Sequence, residues 1–255
     1  MHSASCSRDK WSPGSGRIMS ANLYPSYLRI RDIVRDFQSG ISGLLFPPVC
    51  KSCGKRIEDS GELVCDNCWS QLQPVPDEIL HTKPVPENLD AIYAVYLFDE
   101  RMQRIVHALK YRDFRSIGIK LGNAMGERYL EISSQLHQAV LVPIPLHIKK
   151  YRERGYNQSE WLARGIQSVV DIPVLSQLLQ RVKNTRSQTK LNASERQDNM
   201  REAFRISACA EPNPFEMVIL VDDVFTTGAT MNAAAEVCKT AGISTVVGLT
   251  AAMPI

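Results

Sequence analysis

No apolar run in this sequence is long enough to cross a bilayer: the longest, such as residues 217–221 and 243–252, fall well short of the ~20 residues that a spanning helix needs. The first residues lack the apolar core of an export signal. Charge of one sign is also nearly absent as an excess. Thirty Lys and Arg stand against 27 Asp and Glu, a net charge of +3, too mild to announce a nucleic-acid binder. No internal repeat interrupts the chain. With 44% hydrophobic residues in 255, the composition excludes a chain disordered throughout and allows one medium core with a small appendage. The expected compartment is the cytoplasm, where thiols stay reduced and paired cysteines read as metal ligands.

What charge there is lies unevenly. Between residues 145 and 205 there are 12 Lys and Arg against six Asp and Glu, which leaves the rest of the chain net negative. This segment can face phosphates or be an ordinary solvated basic face.

Residues 1–26 read as a disordered leader, with Met19 as an alternative start. Residues 27–74 read as an amphipathic helix followed by a four-cysteine module, and 75–90 as a stiff linker punctuated by Pro76, Pro84 and Pro86. From 91 to 255 the pattern alternates. Strands are expected at 91–98, 139–143, 217–221 and 244–251, and helices at 101–110, 116–130, 157–169 and 230–240. Such alternation predicts an open, mainly parallel sheet with helices on both faces.

Seven cysteines need a chemical explanation. Cys50-Lys-Ser-Cys53 and Cys65-Asp-Asn-Cys68 are two knuckles separated by 11 residues, an arrangement that presents four thiolates tetrahedrally and suits zinc. An iron centre and two disulfides are the competing readings. Gly54 supplies the positive φ such a turn needs, and Trp69 stands ready to cover the site. With every position filled by protein, the metal is structural. Cys6, Cys209 and Cys238 have no partner spacing.

The most informative stretch is Val218-Ile-Leu-Val-Asp-Asp-Val-Phe-Thr-Thr-Gly-Ala-Thr230. It reads as a buried strand, two acids, a hydroxyl-rich loop and a helix start. A strand's carboxyl end in a parallel sheet is where ligands bind, and a helix N-terminus aims free N–H groups and a positive dipole at an anion. Gly228 and Ala229 let the backbone approach a phosphate, and Thr226, Thr227 and Thr230 offer hydroxyls. Asp222 and Asp223 suit sugar hydroxyls, or a divalent ion shared with a pyrophosphate. Together these parts describe a seat for a phosphorylated ribose. The plainer reading is a strand, a turn and a capped helix.

That string resembles the phosphoribosyl pyrophosphate motif of type I phosphoribosyltransferases, and the chain from residue 45 onward resembles the competence protein F family of bacteria. The resemblance also rests on Leu45-Phe-Pro-Pro-Val-Cys-Lys-Ser-Cys53, Ala108-Leu-Lys-Tyr-Arg112, Val142-Pro-Ile-Pro-Leu-His147, Arg152-Glu-Arg-Gly-Tyr-Asn-Gln158, Gln188, Glu195-Arg196 and Asn199. It implies a type I phosphoribosyltransferase fold behind a small N-terminal zinc-binding module. It also implies binding of phosphoribosyl pyrophosphate with magnesium, and transfer of phosphoribose to an unidentified acceptor. Pro145 and His147 fall where a pyrophosphate loop is expected. Arg186, Gln188, Lys190 and Arg196 match a mobile hood, with Lys149, Lys150, Arg152 and Arg154 as further cations. Cations and a closing lid suit a leaving pyrophosphate. No general base stands out. His107 and His147 qualify only by titrating near neutrality, and His107 reads better as a packing residue. The resemblance equally implies a non-catalytic role in DNA uptake during natural transformation. Single-stranded DNA would then lie in the basic cleft, Tyr151 and Tyr156 would serve as stacking rings, and a competence helicase would be a partner.

Overall fold

A computed structural model describes residues 48–57, 61–110, 115–132, 139–182, 203–207 and 215–255. The expected leader, the helix at 27–45 and the hood candidates Arg186, Gln188, Lys190 and Arg196 lie outside the described residues. Everything below belongs to the unit Val49–Ile255.

Four parallel strands form the sheet: β1 (Ala91–Leu97), β2 (Ala139–Pro143), β5 (Met217–Val224) and β6 (Thr245–Met253), in the order β1-β6-β5-β2. The inner strands β5 and β6 are buried on both faces, which is why their sequences are near-continuous runs of Val, Ile, Leu and Ala. Both edges are covered. Leu97 N–H donates to the Gln73 carbonyl and Val75 N–H to Val95 along β1, while Pro173 and Leu175 bond Leu141 of β2. Covered edges offer no template for a stray strand.

One face carries α3 (Glu100–Leu109), α4 (Arg115–Ile132) and α6 (Gln158–Val170). Asp99 starts α3 by accepting the Met102 N–H at 2.7 Å, and its apolar side buries Met102, Ile105, Val106 and Leu109. Helices α4 and α6 touch through bare backbone. A Cβ on Gly165 would sit 2.4 Å from the Ile119 carbonyl oxygen, so only glycine permits this approach. The other face carries α7 (Ala229–Thr240) and a small antiparallel hairpin of β3 (Leu179–Arg181) and β4 (Phe204–Ile206).

The expected elements from residue 91 onward are present, with one informative shift. Strand β5 runs three residues past the expected end at 221, because Asp222 and Val224 pair with Thr250 and Ala252 of β6. The two acids therefore belong to the sheet rather than to the loop. Two short helices were not foreseen: α2 (Asp77–Thr82) and α5 (Ile148–Arg154). Helix α2 falls in the segment 75–90, where an extended linker was expected. Val75 and Leu89 there are buried in the core beneath β1, so the segment packs instead of spacing two bodies.

The cysteine module, whose second knuckle opens helix α1 (Asp66–Ser70), shares that sheet's core. Cys50, Ile57, Val64, Cys68 and Leu72 are buried in one apolar cluster with Met102, Ile105, Leu109, Ile117 and Leu121. Arg101 of α3 donates to the Gln71 carbonyl at 2.9 Å, and the Lys120 ammonium lies over the Trp69 ring. No helix among the described residues is long and apolar enough to cross a membrane.

Candidate functional site

The four sulfurs of Cys50, Cys53, Cys65 and Cys68 all lie within 4.8 Å of one another. A tetrahedral zinc with Zn–S bonds of about 2.3 Å places its sulfurs about 3.8 Å apart, and Cys53 and Cys65 stand at 3.9 Å. The donor set fits. The first knuckle folds around one sulfur: the N–H groups of Ser52, Cys53 and Cys65 all donate to Cys50 Sγ. Burial alone would raise the Cys50 thiol, but these donors bring it down to about 6. For Cys68, burial dominates, and contacts with the other cysteines add to it, pushing the thiol up to about 12. Four thiolates this close need a shared cation, and zinc supplies it. Gly54 takes φ +74° as expected. Trp69 packs into the apolar cluster the module shares with the sheet.

The second site is a hollow of about 300 Å³ at the carboxyl ends of β2 and β5. It lies where the connections diverge, since α6 after β2 packs on one face and α7 after β5 on the other. Such a switch point opens a crevice by topology alone. Asp222, Asp223, Thr226, Thr230 and Pro145 line it, as do Lys110, Lys150, Arg154 and Arg181. Gly228, at φ +73°, turns the chain into α7 and leaves that helix start without a side-chain cap. A Cβ there would strike Phe225 and Pro86 at 2.7 Å. Thr227 is exposed on the loop, its Oγ1 accepting from Ala229 N–H, and it does not line the hollow.

The acids are held unequally. Asp222 Oδ1 accepts from Ser159 Oγ at 3.0 Å and from Asp223 N–H at 2.9 Å. Burial, then the neighbouring Asp223 charge, raise its carboxyl to about 7 in spite of those donors and Lys110. Asp223 is buried and pairs with Lys110 Nζ at 3.3 Å. Among the cations, burial and then Arg181, Arg154 and Lys110 push the Lys150 ammonium down. Burial likewise lowers Arg181, with Asp222 opposing. Positive groups crowded this closely are stabilised by an anion.

Several expected residues stand elsewhere. His147 caps α5, its Nδ1 accepting from Lys149 N–H at 3.2 Å, and does not line the hollow. Arg152 projects from the exposed side of α5. His107, read as a packing residue, is on the exposed side of α3. Tyr151 and Tyr156 are no stacking pair: Tyr151 is exposed, while Tyr156 is buried with its hydroxyl donating to the Leu109 carbonyl. Lys110 and Arg181 escaped sequence reasoning as site residues. Of the four further cations, the helix 148–154 selects Lys150 and Arg154 for the hollow, since positions 150 and 154 share a face that 149 and 152 do not.

Residues 41–79 match the family described as Double zinc ribbon domain. Over most of its length the chain is similar to curated proteins. Competence protein F of Haemophilus influenzae is 29% identical over 202 residues, 76% of this chain and 86% of the relative. DNA utilization protein YhgH of Escherichia coli O157:H7 is 30% identical over 204 residues, 78% of this chain and 81% of the relative. Competence protein ComFC of Bacillus subtilis is 28% identical over 192 residues, covering 73% and 70%.

Proposed function

The chain belongs to the competence protein F family, and from that premise we propose that it serves DNA utilisation, with the hollow at the end of β5 as its seat for a phosphorylated ribose, phosphoribosyl pyrophosphate in the first place. The DNA-related role follows the names its relatives carry. The ligand follows from one observation: four cations and two acids surround a single hollow beside the start of α7. Cations alone would suit any polyanion. The acids select further, because a carboxylate repels phosphate and accepts sugar hydroxyls or holds a divalent ion.

In this reading Lys150, Arg154 and Arg181 take the diphosphate. Thr226, Thr230 and the first N–H groups of α7 take the 5′-phosphate. Asp222 and Asp223 face the ribose hydroxyls and would share magnesium with the diphosphate. Ser159 keeps the Asp222 carboxylate turned. No group in the hollow stands out as a base for an incoming acceptor, so the proposal is binding, with transfer as a question of turnover.

Calorimetry tests it. Phosphoribosyl pyrophosphate with magnesium should bind the wild-type protein, and Asp222→Ala with Asp223→Ala should abolish the heat while circular dichroism stays unchanged. Equal binding by the double variant rejects the reading.

A second reading places single-stranded DNA on the same cations, favoured by the relatives' names. The burial of Tyr156 weakens it, since it removes one of two stacking rings. Phosphate contacts release counterions, so DNA affinity would fall steeply with salt and with loss of Arg154. A flat salt response would exclude it.

A further inference from the structure

Leu109 and Tyr156 are far apart in the sequence, and the fold brings them together next to Lys110, a cation that lines the hollow. The buried Tyr156 hydroxyl donates to the Leu109 carbonyl at the end of α3. Lys110, the next residue, caps that helix. From there its ammonium reaches the hollow, 3.3 Å from Asp223 Oδ2. That oxygen is buried and accepts no hydrogen bond of regular geometry. The Lys110 charge is therefore its counterpart. The same ammonium also acts on Lys150 across the hollow. It stands on the border between the acid side and the cation side.

We infer that Lys110 is an exchangeable counter-charge, shared between Asp223 and the anionic part of the ligand. A ligand whose hydroxyls engage Asp223 releases the ammonium toward its own phosphates. A ligand without hydroxyls leaves Lys110 tied to the carboxylate. The device rests on the phosphoribosyl reading and deepens it. It selects molecules that carry hydroxyls and a diphosphate on one scaffold over diphosphate alone. Lys110 is a positioning residue for Asp223 as well as a cation for the ligand.

A double-mutant cycle of Lys110→Met and Asp223→Asn, read by calorimetry with inorganic pyrophosphate and with phosphoribosyl pyrophosphate, tests the exchange. A cation whose contact with the ligand is independent of Asp223 would cost the same in every arm, because only groups that influence each other depart from additivity. The exchange predicts that Lys110→Met costs pyrophosphate affinity roughly tenfold more in the Asp223→Asn background than in wild type. For phosphoribosyl pyrophosphate the larger cost should already be seen in wild type. Lys110→Arg should restore the binding that Lys110→Met loses, which separates charge from packing, and thermal melts should show both variants folded. Equal costs across backgrounds and probes overturn the exchange and leave the phosphoribosyl reading standing. Binding of neither probe to wild-type protein overturns both.

Discussion

The four-cysteine cluster and the hollow at the end of β5 both gather groups that repel one another, and they settle the conflict differently. In the cysteine cluster four thiolates of one sign converge within 4.8 Å, and a single resident cation balances them. All of its coordination positions are filled by protein, which leaves no place for a substrate. In the hollow, acids and cations lie side by side, and the pairing is partial. Lys110 meets Asp223, while Lys150, Arg154 and Arg181 crowd one another. A closed balance stabilises a fold. A partial one leaves electrostatic work for a ligand to do.

The largest expected effect strikes the closed site. Cys65→Ser should take zinc from about one per chain to none by metal analysis. The melting temperature should fall by roughly 10 °C or more, since the module shares a core with α3 and α4. Unchanged melting would show that the two cores are independent. In the open site, Arg181→Ala removes a half-buried charge and should weaken phosphoribosyl pyrophosphate by roughly thirtyfold in calorimetry. Its melting temperature should hardly move, which is the contrast with the cysteine variant.

A smaller effect follows from Asp222. Its carboxyl is raised to about 7 in the fold, by burial and then by Asp223, against about 3.9 unfolded. Between these values the folded chain keeps a proton that the unfolded chain releases, so this group costs stability as pH rises through that window. The cost is complete above about pH 7. Asp222→Asn keeps an oxygen for Ser159 and Asp223 N–H, and should melt roughly 4 °C higher than wild type at pH 8 and equally at pH 4. Equal melting at both would mean that Asp222 is not strained by its neighbour. The smallest effect separates two sides of α5: Arg152→Ala should change ligand affinity by no more than about twofold, and Arg154→Ala by about tenfold. Equal losses would move the ligand out of the hollow and onto the exposed basic face.

The cysteine module was legible because its ligands are close in sequence, two residues apart within each knuckle, so local turns bring them near each other. The strand, loop and helix around Asp222 were legible for the same reason. Lys110 and Arg181 were not. Each is one basic residue among 30, and their meeting with Asp223 and Asp222 spans the sheet and the hairpin. His147 was placed on a pyrophosphate loop and Arg152 among further cations, with no secondary structure read for 148–154. Once it is a helix, its turn decides which cation faces inward.

Alternation of apolar runs and helical stripes, with two cysteine knuckles and one acid-and-threonine loop, by themselves determined a parallel α/β sheet, a metal module and a strand, loop and helix start around Asp222, because each depends on residues within a few positions. Only the tertiary structure decided that the module shares the sheet's core, that the two acids lie within β5, and that Lys110 answers Asp223. Those depend on long-range packing of side chains, which local spacing does not encode.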